Sequence, residues 1–214
     1  MAETRPVGIL GGTFDPIHLG HLRLAEEMAD ALGLSEVRFV PAGQPPHRAP
    51  PRSAAADRLQ MVRLATAGNP RFVVDAREVR AARPSYTVDT LADLRAELGP
   101  ARPLVLLLGV DAFCGLPTWH DWRRLFEFAH IAVGERPGTA GLDAAPAALR
   151  AEIDARRAVS PGAAAGSVRF VATTLLDISA TAIRDRLARG HSVRYLTPDA
   201  VLDHIHLHRL YTQP

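Results

Sequence analysis

The stretch VGILGGTFDPIHLGH, residues 7–21, contains a change of period that decides the fold. Residues 7–10 form an apolar run of strand length, as expected of a strand buried on both faces. Gly11 and Gly12 then allow close backbone approach to a ligand, and Asp15-Pro16 marks a turn. From His18 onward the pattern changes. Leu19, Leu22, Ala25, Met28 and Leu32 recur at threes and fours, which predicts an amphipathic helix over residues 18–33.

The same alternation continues outward. Apolar runs of strand length recur at residues 37–40, 72–74, 104–108, 131–133 and 168–171. Helical spacing is read at 58–65, 88–98 and 180–189, the last stopped by Gly190. Strands rich in Val, Ile and Leu that alternate with helices predict an α/β fold, a Rossmann-like doubly wound parallel sheet with helices on both faces. Residues 139–166, rich in alanine, glycine and proline, read as a helix with loose flanks. No firm boundary divides the chain, so one domain over residues 1–214 is expected, with a C-terminal helical segment at about 179–211.

Composition narrows the chemistry. The chain has 214 residues, 47% hydrophobic and 22% charged, which is enough for a real core and excludes disorder. Its 25 cations and 23 anions nearly balance, and every cation is an arginine. Without lysine there is no Schiff base from a side chain and no GxxxxGK[ST] phosphate loop, so phosphate must be met by arginine, histidine or backbone. The one cysteine, Cys114, excludes an intrachain disulfide and suits a reducing, cytoplasmic setting. Residues 1–6 lack the apolar core of a secretory signal, and the run 104–110 is too short to span a bilayer.

Parallel sheets bind ligands beyond the carboxyl ends of their strands, so the chemistry is sought in the loops that leave those ends. In the first of them, His18 and His21 stand three apart and share one face of the first helical turn, at an end whose amides and dipole attract anions. Alone, such a pair is more often helix surface or a chance metal pair. After a strand and a Gly-Gly turn the anion reading is favoured. Ser179 is a sound N-cap for the helix at 180–189, with Thr181 and Arg184 in its first turns. Ser85, Tyr86 and Thr87 enter the helix at 88–98, a further anion-friendly start. His204, His206 and His208 read as a solvated helix face rather than a metal site.

Two of these segments, GGTFDPIHLGH at 11–21 and ISATAIR at 178–184, resemble the signatures of the nucleotidyltransferase superfamily. With PAGQPPHR at 41–48, SYTVDTL at 85–91, LGVD at 108–111 followed by Trp119, RPG at 136–138 and the tail YLTP at 195–198 to Tyr211, the resemblance is to bacterial nicotinate-nucleotide adenylyltransferase. It runs from about residue 7 to 211. It implies transfer of AMP from ATP to nicotinate mononucleotide, with His18, His21 and Arg184 as catalytic donors. ATP and its phosphates would meet Gly11, Gly12, Thr13, Phe14, Gly109, Asp111, Ile178, Ser179, Thr181 and Arg184. The acceptor would meet Ser85, Tyr86, Thr87 and Trp119, with Arg48 and Arg136 as further cations.

The resemblance also implies Mg²⁺, held mainly by the ATP phosphates with no protein ligands assigned. Asp15 is as well suited to shaping the turn, and Asp111 to a ribose hydroxyl, as either is to a metal. Arg48 is equally readable as a solvated loop residue, and core packing is the alternative for Trp119 and the preferred reading of Trp122. ATP and nicotinate mononucleotide are the expected partners, with no nucleic acid and no membrane, and a homo-oligomer is left open. An adenylyltransferase for nicotinamide mononucleotide or another phosphate acceptor and a non-catalytic nucleotide-binding or sensory domain remain alternatives. A dehydrogenase is disfavoured, since the first loop lacks GxGxxG.

Overall fold

The computed structural model describes residues 5–45, 50–81, 83–135, 145–156, 163–174 and 176–212. Strands β1 (Val7–Gly12), β2 (Glu36–Pro41), β3 (Phe72–Val74), β4 (Leu104–Gly109), β5 (His130–Glu135) and β6 (Val168–Ala172) coincide with the apolar runs. They form one sheet in the order β3-β2-β1-β4-β5-β6. Every neighbouring pair is parallel. The chain winds from β1 out to β3 and then restarts at β4 on the other side of β1, so strand order reverses between β1 and β4. In such sheets that crevice is where ligands sit.

The helices are α1 (Leu19–Leu32), α2 (Ala55–Thr66), α3 (Arg77–Arg80), α4 (Thr87–Leu98), α5 (Val110–Cys114), α6 (Leu125–Phe128), α7 (Ala147–Ala155), α8 (Ala180–Ala188) and α9 (Asp199–Leu207). They cover both faces, as the pleat of β4 shows. Leu104, Leu106 and Leu108 join Leu91, Leu94, Leu125 and Leu149 on one side. Val105 and Leu107 join Met28, Met61, Val201 and Ile205 on the other. Alternation with period two thus divides one apolar strand between two cores. Each such side chain stabilises the fold by about 1.5–3 kcal/mol through burial.

Gly33, at φ 60°, ends α1 in the left-handed region, with its N–H on the carbonyls of Ala29 and Asp30. Gly190, at φ 71°, follows α8 in the same way. The buried stripe of α1 is Leu24, Ala25, Met28 and Ala29, somewhat rotated from the predicted one. Helices α3, α5 and α6 escaped the sequence reading because four or five residues are too few to show a period. Helix α7 lies inside the alanine-rich stretch, whose flanks 139–144 and 157–162 fall outside the described residues. Helix α9 buries Val201 and Ile205 in the second core, and Leu202 in a smaller cluster with Ile183 and Val193 of the α8 side. Among the described residues no helix is long and apolar enough to cross a membrane.

Candidate active site

His18 is the N-cap of α1, and its backbone N–H donates to Nδ1 of His21 at 3.2 Å. That bond places the proton of a neutral His21 ring on Nε2. The two imidazoles are stacked, centroids 3.7 Å apart, so they share a face as expected. Gly20 leaves room for the buried ring, since a Cβ there would stand 3.0 Å from His18 Nδ1. The ring of Phe14, at φ 50°, meets His21 edge-on at 5.1 Å. His18 is buried, and its Nδ1 has no hydrogen-bond partner among the described residues. Burial lowers its pKa from 6.5 to about 4. It is therefore a neutral donor at pH 7 and not a cation.

One expectation for this helix start needs correction. The amide of Leu19 is not open to an anion: it donates to the carbonyl of Leu196 at 2.9 Å. Thr197 Oγ1 donates to the carbonyl of Ile17 nearby, so the segment before α9 holds the loop from behind. The first helical amide is therefore already committed within the protein.

The second motif meets the first. Ser179 caps α8, its Oγ accepting the N–H of Ala182 at 3.1 Å. Arg184 Nη2 donates to Thr181 Oγ1 at 3.1 Å, and Nη1 donates to the Asp15 carbonyl at 2.7 Å. The Asp15 side chain is buried and accepts from the Arg52 N–H, the Ser53 hydroxyl and the Tyr211 hydroxyl. It is turned into the loop, which it shapes, with three donors on its two oxygens. Arg58, fully buried, donates to the carbonyls of Thr13, Ala42 and Gly43 at 2.8, 2.5 and 3.0 Å, tying the loop after β1 to the loop after β2.

Gly11 and Gly109 border open space, since a Cβ on either would meet no atom within 4 Å. Gly109 caps α5, and Asp111 is exposed in its first turn. On the β2 side, Ser85 Oγ accepts from the amides of Gly43 and Gln44 and bonds to the Glu78 carboxyl, whose pKa is raised mainly by burial. Tyr86 is the N-cap of α4 and Thr87 its first residue. Tyr86 lies 4.4 Å from the ring of His120, and both Tyr86 and half-buried Trp119 pack on the first core.

The cytidylyltransferase-like family model matches residues 9–186, both motifs included. The probable nicotinate-nucleotide adenylyltransferase of Dechloromonas aromatica (strain RCB) is 55% identical over 213 residues, covering 97% of this chain and 98% of that one. The chain belongs to this adenylyltransferase family. A second member, from Halorhodospira halophila (strain DSM 244 / SL1), is 56% identical over 201 residues and covers 92% and 91% of the two chains. Among solved structures, the nicotinic acid mononucleotide adenylyltransferase of Plasmodium falciparum complexed with NaAD superposes with a TM-score of 0.73 over 98% of both chains. At 16% identity that is a likeness of fold.

Within this family frame, His18, His21, Thr181 and Arg184 stand around one loop, while Ser85, Tyr86 and Thr87 lie at the start of α4, where His120, the neighbour of Trp119, meets Tyr86. Arg48 and Arg136 lie outside the described residues. Trp122 is buried in the core, as preferred from sequence. His204 corrects the reading of a solvated face: its Nε2 is 3.2 Å from Asp57 Oδ1 and its side chain only 10% exposed. Sequence reasoning missed Arg58, Ser53, Glu78 and His120. Only the position of His120 next to Trp119 could have drawn attention to one of them.

The neutral His18 has a consequence for stability. Below pH 6.5 the unfolded chain takes up a proton on this ring that the folded protein refuses until about pH 4. Its contribution is complete above 6.5 and declines as pH falls towards 4, by up to about 3 kcal/mol. His130, whose pKa is also lowered chiefly by burial, adds in the same direction. Urea unfolding across this window should show a shallower pH slope for His18→Gln than for wild type. Equal slopes would remove His18 as the cause.

Proposed function

We propose that this chain, read as one catalytic domain over residues 1–214, transfers AMP from ATP to nicotinate mononucleotide, giving nicotinate adenine dinucleotide and pyrophosphate. The observation that carries the reading is the Arg184–Asp15 bond, which joins the two motifs across 169 residues. An oxygen of the acceptor phosphate attacks the α-phosphorus of ATP; the new P–O bond forms as the α–β bridge breaks and pyrophosphate leaves. The phosphate monoester has a second pKa near 6, so the nucleophile is already largely a dianion and needs no general base. What the protein supplies is position and donors for the charge on the transferring and leaving groups.

We assign that work to the N–H groups of His18 and His21 and to the Arg184 guanidinium. The loop Gly11, Gly12, Thr13 and Phe14 lies along the triphosphate, with Gly109, Asp111, Ile178, Ser179 and Thr181 on the nucleotide side. Ser85, Tyr86, Thr87 and Trp119 take the acceptor base, with Arg48 and Arg136 kept from the sequence reading as further cations. The Ser85 hydroxyl is bound up with Gly43, Gln44 and Glu78, so in this reading it orders the loop while the start of α4 faces the carboxylate.

Among the described residues no three His, Cys, Asp or Glu side chains lie close enough to hold a metal ion. With the Asp15 carboxylate buried and committed to Arg52, Ser53 and Tyr211 as well, this donor set does not suit a metal held by the protein, and we infer that Mg²⁺ arrives on the ATP phosphates. When bound it would neutralise phosphate charge. The single cysteine supports a cytoplasmic setting.

A carboxylate gains charge-assisted hydrogen bonds that an amide lacks, worth about 1.5–3 kcal/mol. Nicotinate mononucleotide should therefore exceed nicotinamide mononucleotide by roughly 10- to 100-fold in kcat/KM. Initial rates with the two acceptors check this. Preference for the amide would overturn the acceptor assignment, and no pyrophosphate release with either would favour a nucleotide sensor.

A further inference from the structure

The end of the chain reaches into the loop that precedes the two histidines. After α9 the backbone passes through two left-handed non-glycine residues, Arg209 at φ 51° and Tyr211 at φ 62°. Such conformations persist only where surrounding contacts impose them. Here they carry the Tyr211 ring into the second core, where it is 7% exposed. Its hydroxyl donates to Asp15 Oδ1 at 2.6 Å, and Ser53 Oγ donates to the same oxygen at 2.5 Å. Burial, reinforced by the Asp15 carboxylate, pushes the phenol's ionisation well above its ordinary value, so it remains a donor.

The other side of the same residue faces the second motif. The Asp15 carbonyl accepts Arg184 Nη1 at 2.7 Å, and the neighbouring Phe14 is itself left-handed at φ 50°. The side chain of Asp15 is thus fixed by Arg52, Ser53 and Tyr211, and its backbone fixes the guanidinium. Arg184 Nε is buried without a hydrogen-bond partner among the described residues, so the placement of this group depends on its two Nη contacts. We propose that Tyr211 is a positioning residue for the transfer reaction: its hydroxyl anchors Asp15 and, through the Asp15 carbonyl, sets the place of the Arg184 guanidinium.

This inference rests on the proposed activity, so two readouts are needed. Tyr211→Phe keeps the ring and removes only the hydroxyl. In steady-state kinetics with ATP, Mg²⁺ and nicotinate mononucleotide, it should lower kcat about tenfold with both KM values within about twofold, because a displaced transition-state donor costs rate more than binding. Ser53→Ala, acting on the same carboxylate oxygen, should lower kcat in the same direction. Leu34→Ala, in the buried turn before β2 and so at the amino-terminal end of the strands, opposite the end that carries the loop of Asp15, is the control for simple destabilisation and should keep wild-type kcat.

The second readout needs no acceptor. The ¹⁵N signal of the Arg184 Nε–H, assigned by its loss in Arg184→Lys, should shift or exchange faster with water in Tyr211→Phe. An unchanged signal overturns the proposal, as does wild-type kcat in Tyr211→Phe or a loss no larger than that of Leu34→Ala. Wild-type protein inactive on nicotinate mononucleotide would defeat the proposed activity, while the Arg184 signal would still decide the role of Tyr211.

Discussion

His21→Ala should lower kcat by about two orders of magnitude or more, with the protein still folded and KM for ATP little changed. The size follows from what the ring does. Nδ1 is occupied by the His18 amide, which commits the proton of the neutral ring to Nε2 and gives the imidazole one tautomer and one orientation. A donor fixed before the reaction needs no reorganisation as charge develops, which is why removing one such group typically costs 10²- to 10³-fold. Stacking on His18 and the edge contact with Phe14 hold the ring at no cost at the moment of transfer. Half-buried at the surface of α1, His21 contributes little to the core, so the variant should fold. Far-ultraviolet circular dichroism and pyrophosphate release distinguish loss of rate from loss of structure. Turnover near the wild-type level would take His21 out of the mechanism. His21→Gln should recover part of the rate if the ring acts as an N–H donor, and none if it acts as a base.

The fold was legible in the sequence because it rests on period. Strands covered on both faces leave unbroken Val, Ile and Leu runs, and α1 leaves threes and fours. The two motif segments were visible for the same local reason, since His18 and His21 are one turn apart and Ser179, Thr181 and Arg184 fall in the first two turns of another helix. What stayed hidden depends on distant partners. Tyr211 meets Asp15 across 196 residues, and Arg58 reads as an ordinary polar member of α2 until the loops after β1 and β2 close over it. His204 reads as part of a solvated face because nothing local announces Asp57 opposite it. The amide of Leu19 looked open to an anion for a similar reason: its acceptor, Leu196, belongs to a segment far along the chain. Period reports which face is buried, and it cannot say which polar group the fold brings to that face.

Arg58→Met should destabilise the protein by about 3 kcal/mol, roughly a 10 °C fall in the midpoint of thermal unfolding for a chain of this size. Two effects oppose each other. Removing a buried guanidinium relieves its desolvation, which already lowers its pKa against the opposing pull of Asp15, and replacing buried ionic groups by apolar ones is often neutral. That outcome requires the partners to be replaced too. Here the partners are backbone carbonyls of Thr13, Ala42 and Gly43, which no single substitution removes. Each acceptor left unsatisfied costs about 1–3 kcal/mol, and water entering at the loop surface recovers only part of it, so the loss prevails. Arg58→Lys should recover a minority of the stability, because a point-like ammonium cannot spread over three acceptors as a planar fork does. Activity should fall with stability in both variants, since the Thr13 carbonyl belongs to the loop that leads to His18. Urea unfolding of wild type, Arg58→Met and Arg58→Lys measures the series, and a loss below about 1 kcal/mol in Arg58→Met would mean that the clamp between the two loops is held by other contacts.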